Sequence, residues 1–171
     1  MFSKTDIEKY FIAEKNLGLL LLIIALVALL AAGIFFFVMK TSWHKGAALA
    51  FLLVGLFQLG IGYTVYSHAD KQRKAAVYAF DMNPLELKEK ELPRLEKAID
   101  GMGLYIAIEI GLMLAGIALF VYFKTDNARL FWAGFGIALA VQAALCLYAD
   151  IRAKSLATVY KNGLSHWNKS S

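Results

Sequence analysis

The chain has 171 residues, 60% of them hydrophobic, a formal net charge of +5 and one cysteine. What lies outside four long apolar runs is split among short segments, which excludes a second soluble domain. The lone Cys146 excludes an intrachain disulfide and any Cys-x-x-Cys redox motif, and reads as a small apolar packing residue.

In chain order, residues 4–15 carry mixed charge. Thr5 and Glu8 have capping-box spacing, and Ile7, Tyr10 and Phe11 follow at helical intervals. A short amphipathic helix is predicted here, lying near the inner membrane surface. The first apolar run, Leu17–Met39, is too long for a signal-peptide core and lacks a short basic leader, so it is expected to be retained. A short loop with Trp43 and His44 leads to the second run, Gly46–Tyr66, in which Gly55, Gly60 and Gly62 add pliability around Gln58.

Residues 67–101 read as a cytoplasmic helical hairpin. His68 to Phe80 continues the second run, and Asn83-Pro84 marks a fresh helix start with proline in its first turn. Leu85, Leu92, Leu95 and Ile99 form an apolar stripe among Glu and Lys residues, with Pro93 as an expected kink. The stripe either packs on the chain's own extensions, Tyr66–Tyr78 and Tyr148–Tyr160, or docks a partner protein.

The third run, Met102–Phe123, holds Glu109, and the fourth is Leu130–Tyr148. Ala107, Gly111 and Ala115, like Gly136, Ala140 and Ala144, have the small-xxx-small spacing that lets helices approach, and are expected in the bundle interior. In the tail 149–171, residues Lys161–Ser171 are expected to lack structure, with Trp167 resting on the membrane.

At ~1.5 Å per residue each run covers a hydrocarbon core of roughly 30 Å. Continuous apolar runs, rather than short alternating ones, indicate helices and not a barrel. The expected fold is all-α: an integral membrane four-helix bundle of two transmembrane hairpins with cytoplasmic helical extensions, in one domain. Fourteen Lys and Arg lie in 1–16, 67–101 and 149–171, against four in the two short loops, so both termini should be cytoplasmic and the membrane the plasma (inner) membrane. Trp43 and Trp132 by the outer loops, and Tyr63, Tyr66, Tyr105 and Tyr148 towards the inner ends, agree. Lys71, Arg73, Lys74, Arg152 and Lys154 are then contacts for anionic lipid headgroups, and nucleic acid is not an expected partner. Lys40-Thr41 and Gln58 recur 84 residues later as Lys124-Thr125 and Gln142, which lays one hairpin on the other as a parallel repeat.

Glu109 is the one normally ionised side chain in the four runs, and a carboxyl there must face protein or water. Depth counting puts Gln58 and Gln142 at a similar level, so Gln58, Glu109 and Gln142 are expected to meet as an intramembrane polar cluster. Such a cluster either couples proton movement in a transporter or locks helices by hydrogen bonds. His44, His68 and His166 lie far apart and give no metal or haem site, and His68 with Asp70 reads as a solvated helix surface. No phosphate loop, nucleophile elbow or other cofactor motif is present, so neither an enzyme nor a cofactor is expected.

In size, basicity and span number the chain resembles membrane immunity proteins against pore-forming toxins. One buried glutamate among four spans is similar to the small multidrug exporters, which carry theirs in the first helix and lack a segment like 67–101. No shared motif carries either likeness. The reading is a non-enzymatic membrane protein that binds or regulates a partner protein, in a scaffold, regulator or immunity-like role. The alternative is a small oligomeric transporter or channel using Glu109, Gln58 and Gln142.

Overall fold

The computed structural model describes residues 2–126 and 129–167, with Pro84 and Glu86 described by their backbone alone. Four helices take up nearly all of them: α1 (Lys4–Ile34, continued by a π-helical turn Phe35–Met39), α2 (Ser42–Met82), α3 (Pro84–Phe123) and α4 (Leu130–His166). No strand occurs among the described residues, and each helix is long and apolar enough to cross a membrane. The 41 residues of α2 reach about 60 Å at ~1.5 Å each, twice a hydrocarbon core. All four helices therefore continue past the apolar runs into what we call the basic end, where α1 starts, α2 turns into α3, and α4 finishes.

Helix α1 packs along α2, and α3 along α4. The two hairpins meet through α2 and α4, while α1–α4 and α2–α3 contacts are slight. Across the bundle the order is α1, α2, α4, α3, with α1 and α3 outermost.

Local chemistry explains the helix ends. The cap of α1 is Ser3 rather than Thr5. The Ser3 amide and hydroxyl donate to Asp6 Oδ2 at 2.9 and 2.8 Å, a capping box two residues earlier than the Thr5/Glu8 spacing indicated. The expected surface-lying amphipathic helix is instead continuous with the first span, because Ile7, Tyr10 and Phe11 are buried in the basic-end core. Lys40 takes a left-handed φ of 52° to turn the chain, and Thr41 caps α2 by accepting from the His44 amide. Between α2 and α3 the chain reverses through Asn83 alone, which bonds backward to Ala79 O and forward from Leu87 N. Pro84 follows in the first turn, where a missing N–H leaves no bond unmade. Helix α3 runs unbroken through Pro93, which is solvent-exposed. The tail expected to be unstructured is helical to His166, with Leu164 fully buried, and Trp167 stacks on Phe80 at 4.9 Å. Residues 168–171 of that expectation lie outside the described residues.

The buried residues divide by size. In the basic end Ile7, Phe11, Leu87, Leu95, Tyr160 and Leu164 form a core of large side chains. Along the apolar runs the buried positions are Ala and Gly with two glutamines: Ala25, Ala28, Ala32, Ala47, Ala50, Ala133, Ala138 and their neighbours. Glycines bring helix backbones into contact there, Gly18 against Gly62, Gly116 against Gly136, and Gly46 and Gly134 against the Phe131 and Trp43 carbonyls.

Candidate functional site

Two sets of buried polar groups stand out, one among the apolar runs and one in the basic end. In the first, Gln58 and Gln142 are 3% and 1% exposed, each on the inward line of a central helix. Gln142 Nε2 donates to Gln58 Oε1 at 3.3 Å, and Gln58 Nε2 donates to Cys146 Sγ at 2.9 Å. The two glutamines 84 residues apart thus bond to each other, as two repeat-related positions on facing helices would. Glu109 has a different main partner. Its carboxyl is hydrogen-bonded to that of Asp150, and its Oε2 is buried with no donor directed at it. A bond between two carboxyl groups exists only with a proton on one of them. The three-residue cluster is therefore a glutamine pair linked to Cys146, with an acid pair alongside. Asp150 was legible: Gln142, Cys146 and Asp150 are spaced i, i+4, i+8 on one line of α4.

The apolar stripe is largely covered by the chain itself, the first of its two readings, so the expected partner-docking stripe is not a free surface at Leu92, Leu95 and Ile99. Leu95 is 1% exposed, and Leu92 and Ile99 pack against the same core; Leu85 points outward at 63% exposed, and Leu87 takes the place expected for it. The cause is register: Leu87 and Leu95 lie eight apart on one face of α3, and Leu85 falls off that line.

The second set lies at the edge of that core, with the Glu91 side chain 15% and the Arg94 side chain 35% exposed. Arg94 Nη2 meets Glu91 Oε2 at 2.8 Å, and its guanidinium lies over the Phe11 ring, 5.5 Å from the centroid. Glu14 of α1 faces both, and burial raises the carboxyls of Glu14 and Glu91 above their ordinary range while Arg94 pulls them back. Tyr10 and Tyr160 stack at 4.3 Å with rings nearly parallel, and burial raises both hydroxyls too. Glu14 Oε2, Arg94 Nε and Tyr160 OH are buried without a hydrogen-bond partner. None of these five residues was singled out for a polar role from the sequence. The signal was present, because Leu87, Glu91 and Leu95 share one line of α3 and Ile7, Tyr10 and Glu14 one face of α1.

Among the basic residues, Lys71, Lys74 and Arg152 are exposed, and Arg73 Nη2 lies 3.5 Å from Asp70 Oδ1. Lys154 is half-buried, with its ammonium against Gly103. Asp70 also pairs with Lys15, whose hydrogen bond lowers the Asp70 carboxyl and raises the Lys15 ammonium. No group of three or more His, Cys, Asp and Glu able to hold a metal occurs among the described residues.

The small residues of α3 are where sequence and structure differ most. Ala107, Gly111 and Ala115, expected inside, all face outward, and a Cβ on Gly111 would meet nothing within 4 Å. The buried contact of α3 is Gly116. In α4, Gly136 and Ala140 are buried as expected and Ala144 is not. No family model matches this chain, and no curated protein or solved structure matches it either.

Proposed function

We propose that this is a non-enzymatic protein of the plasma (inner) membrane, with both termini cytoplasmic, that binds a partner protein through the outward face of α3 in the bilayer. The observation behind it is that 6% of the most apolar stretch of α3 is buried, against 39% for α4. One line of that bare face, Ala107, Gly111, Ala115 and Ala118, is small, and it runs between exposed Ile108, Ile110, Leu112 and Leu114. The outward face of α1 carries Ile23, Leu26, Val27, Leu30 and Ile34, side chains that mix with lipid tails. Small side chains give lipid little to pack on, yet let a second helix come within van der Waals range of the backbone. Lys71, Lys74 and Arg152 then meet anionic headgroups on the inner side.

The test is recovery of bound proteins from native membranes after mild crosslinking, for the parent chain and for Gly111→Leu and Ala115→Leu. Both substitutions point away from the bundle, so the fold should persist while a stoichiometric partner is lost. Unchanged recovery in both variants, or no partner with the parent chain, would sink the reading.

A second reading rests on the Glu109–Asp150 acid pair, which could carry a proton in a small oligomeric transporter or channel with Gln58 and Gln142. Against it stands the direct backbone contact of α2 and α4 at Gly46 and Gly134, which leaves no gap between the central helices there. Proton flux into proteoliposomes that is abolished by Glu109→Gln would favour it.

A further inference from the structure

Ionisable groups whose charges do not cancel lie half-buried against the basic-end core. Glu14 enters from α1, Glu91 and Arg94 from α3, and the Tyr160 hydroxyl from α4. If both carboxyls were ionised, two negative charges would share one guanidinium in a core otherwise built of Ile7, Phe11, Leu87, Leu95 and Leu164. An uncompensated charge in such surroundings is strongly disfavoured. Arg94 is already committed to Glu91 at 2.8 Å, and Glu14 Oε2 is left without a donor. Tyr160, 4% exposed, likewise has a hydroxyl without a partner. One proton on the carboxyl pair makes the group neutral and supplies a donor where acceptors are in excess.

We propose that Glu14 and Glu91 hold one proton between them while the core is closed, and that release of this proton unlatches the first turns of α1 from α3 and α4. The site is a pH-sensitive latch at the end of the bundle away from the apolar runs. It is separate from the α3 face.

The groups around it from every helix support the assignment. On α1, Tyr10 stays neutral because burial raises its hydroxyl. On α3, Arg94 is always charged. On α4, Tyr160 stays neutral for the same reason as Tyr10, and Lys161 is held outside by Glu96 at 3.0 Å. Helix α2 contributes Ala76, Val77, Ala79 and Phe80 to this core, while its Asp70 and Asp81 are paired outside with Lys15 and Lys4. His166 lines the groove between α1 and α4 with Asp6 and Lys9. The sign follows from burial. Both carboxyls lie above their ordinary value of 4.5, so the latch is complete below that pH and weakens as pH rises through the raised values.

Hydrogen exchange of residues 4–14 in the full chain, in nanodiscs from pH 4 to 8.5 and corrected for intrinsic rates, tests this. Protection should fall about twofold or more with rising pH, while residues 133–146 keep theirs. In Glu14→Gln, and independently in Glu91→Gln should the first not fold, the fall should vanish. In His166→Gln it should persist. A flat profile in the parent chain, an undiminished fall in the carboxyl variants, or its loss in His166→Gln would each overturn the proposal.

Discussion

Replacing Gly134 by Ala should break the seam between the two hairpins. A Cβ there would lie 1.9 Å from the Trp43 carbonyl oxygen, and one on Gly46 would lie 1.9 Å from that of Phe131. Ordinary contact begins at 3.4 Å, and the obstacle in both cases is backbone, which cannot rotate aside. The helices would have to part by on the order of 1 Å at the crossing, an overpacking penalty of about 1–3 kcal/mol or more. Against this, Ala gains up to ~1 kcal/mol over Gly in helix propensity. Gly60→Ala is the matched control, because nothing lies within 4 Å of its added methyl and only the gain remains. The difference between Gly134→Ala and Gly60→Ala should then be about 2 kcal/mol or more, roughly thirtyfold in the unfolding equilibrium. Because one separation of α2 from α4 relieves both clashes, adding Gly46→Ala to Gly134→Ala should cost less than the sum of the two. Unfolding in mixed micelles with increasing dodecyl sulfate, followed by circular dichroism, measures all four variants. If Gly134→Ala and Gly46→Ala are as stable as Gly60→Ala, α2 and α4 do not cross at these residues.

Gln142→Leu should destabilise by about 0.6–2 kcal/mol, and the Gln58→Leu/Gln142→Leu double variant by less than the sum, as read from a double-mutant cycle in the same assay. Leu95→Ala should lose about 2–5 kcal/mol as a fully buried leucine, whereas Leu85→Ala, two-thirds exposed, should change stability by less than ~0.5 kcal/mol; equal losses would return the stripe to the register read from the sequence. Ser3→Ala removes the cap of α1 and should cost about 0.5–2 kcal/mol. The Ser3 hydroxyl and then its amide hold Asp6 below the ordinary carboxylate range, so this contribution is present above that range and fades as acid titrates Asp6; hydrogen exchange at residues 4–7 against pH should show it.

How much of this was legible follows from what each signal depends on. The four helices, the all-α class and the Asn83-Pro84 break rest on local pattern and chemistry, and the structure has them all. The partners of polar side chains depend on rotation of each helix about its axis, which an all-apolar run does not record. Gln58 and Gln142 meet as expected from their similar depth, which residue counting records, whereas the partner of Glu109 lies two residues past the end of the fourth run. The same blindness inverted α3: Ala107-Gly111-Ala115 and Gly116 lie on different sides of one helix, and spacing alone does not say which side finds α4. In the basic end, attention to leucines hid Glu91 between Leu87 and Leu95, since a charged residue on an apolar line was read as part of the solvated surface.

The change in core residue size along the bundle is itself an argument for where the bilayer ends. In water, burying large side chains drives association, and the core around Phe11, Leu95 and Leu164 has that character. Between lipid tails no such drive exists, and helices associate through close backbone approach and a few hydrogen bonds, as at Gly18–Gly62, Gly116–Gly136 and Gln58–Gln142. The two regimes meet near the Lys15–Asp70 ion pair, with Gly18 and Gly62 on one side and Phe11 and Ala76 on the other. Exposed Tyr63, Tyr66, Tyr105 and Tyr148 gather on the lipid side of that level, where amphipathic rings prefer to sit. Packing chemistry and aromatic placement thus put the interface one to two turns beyond Tyr66, and on the facing helix Asp150 falls within the bilayer beside Glu109. At that level the two acids face each other, whereas the ammonium of Lys154, one turn further along α4, lies against Gly103 of α3.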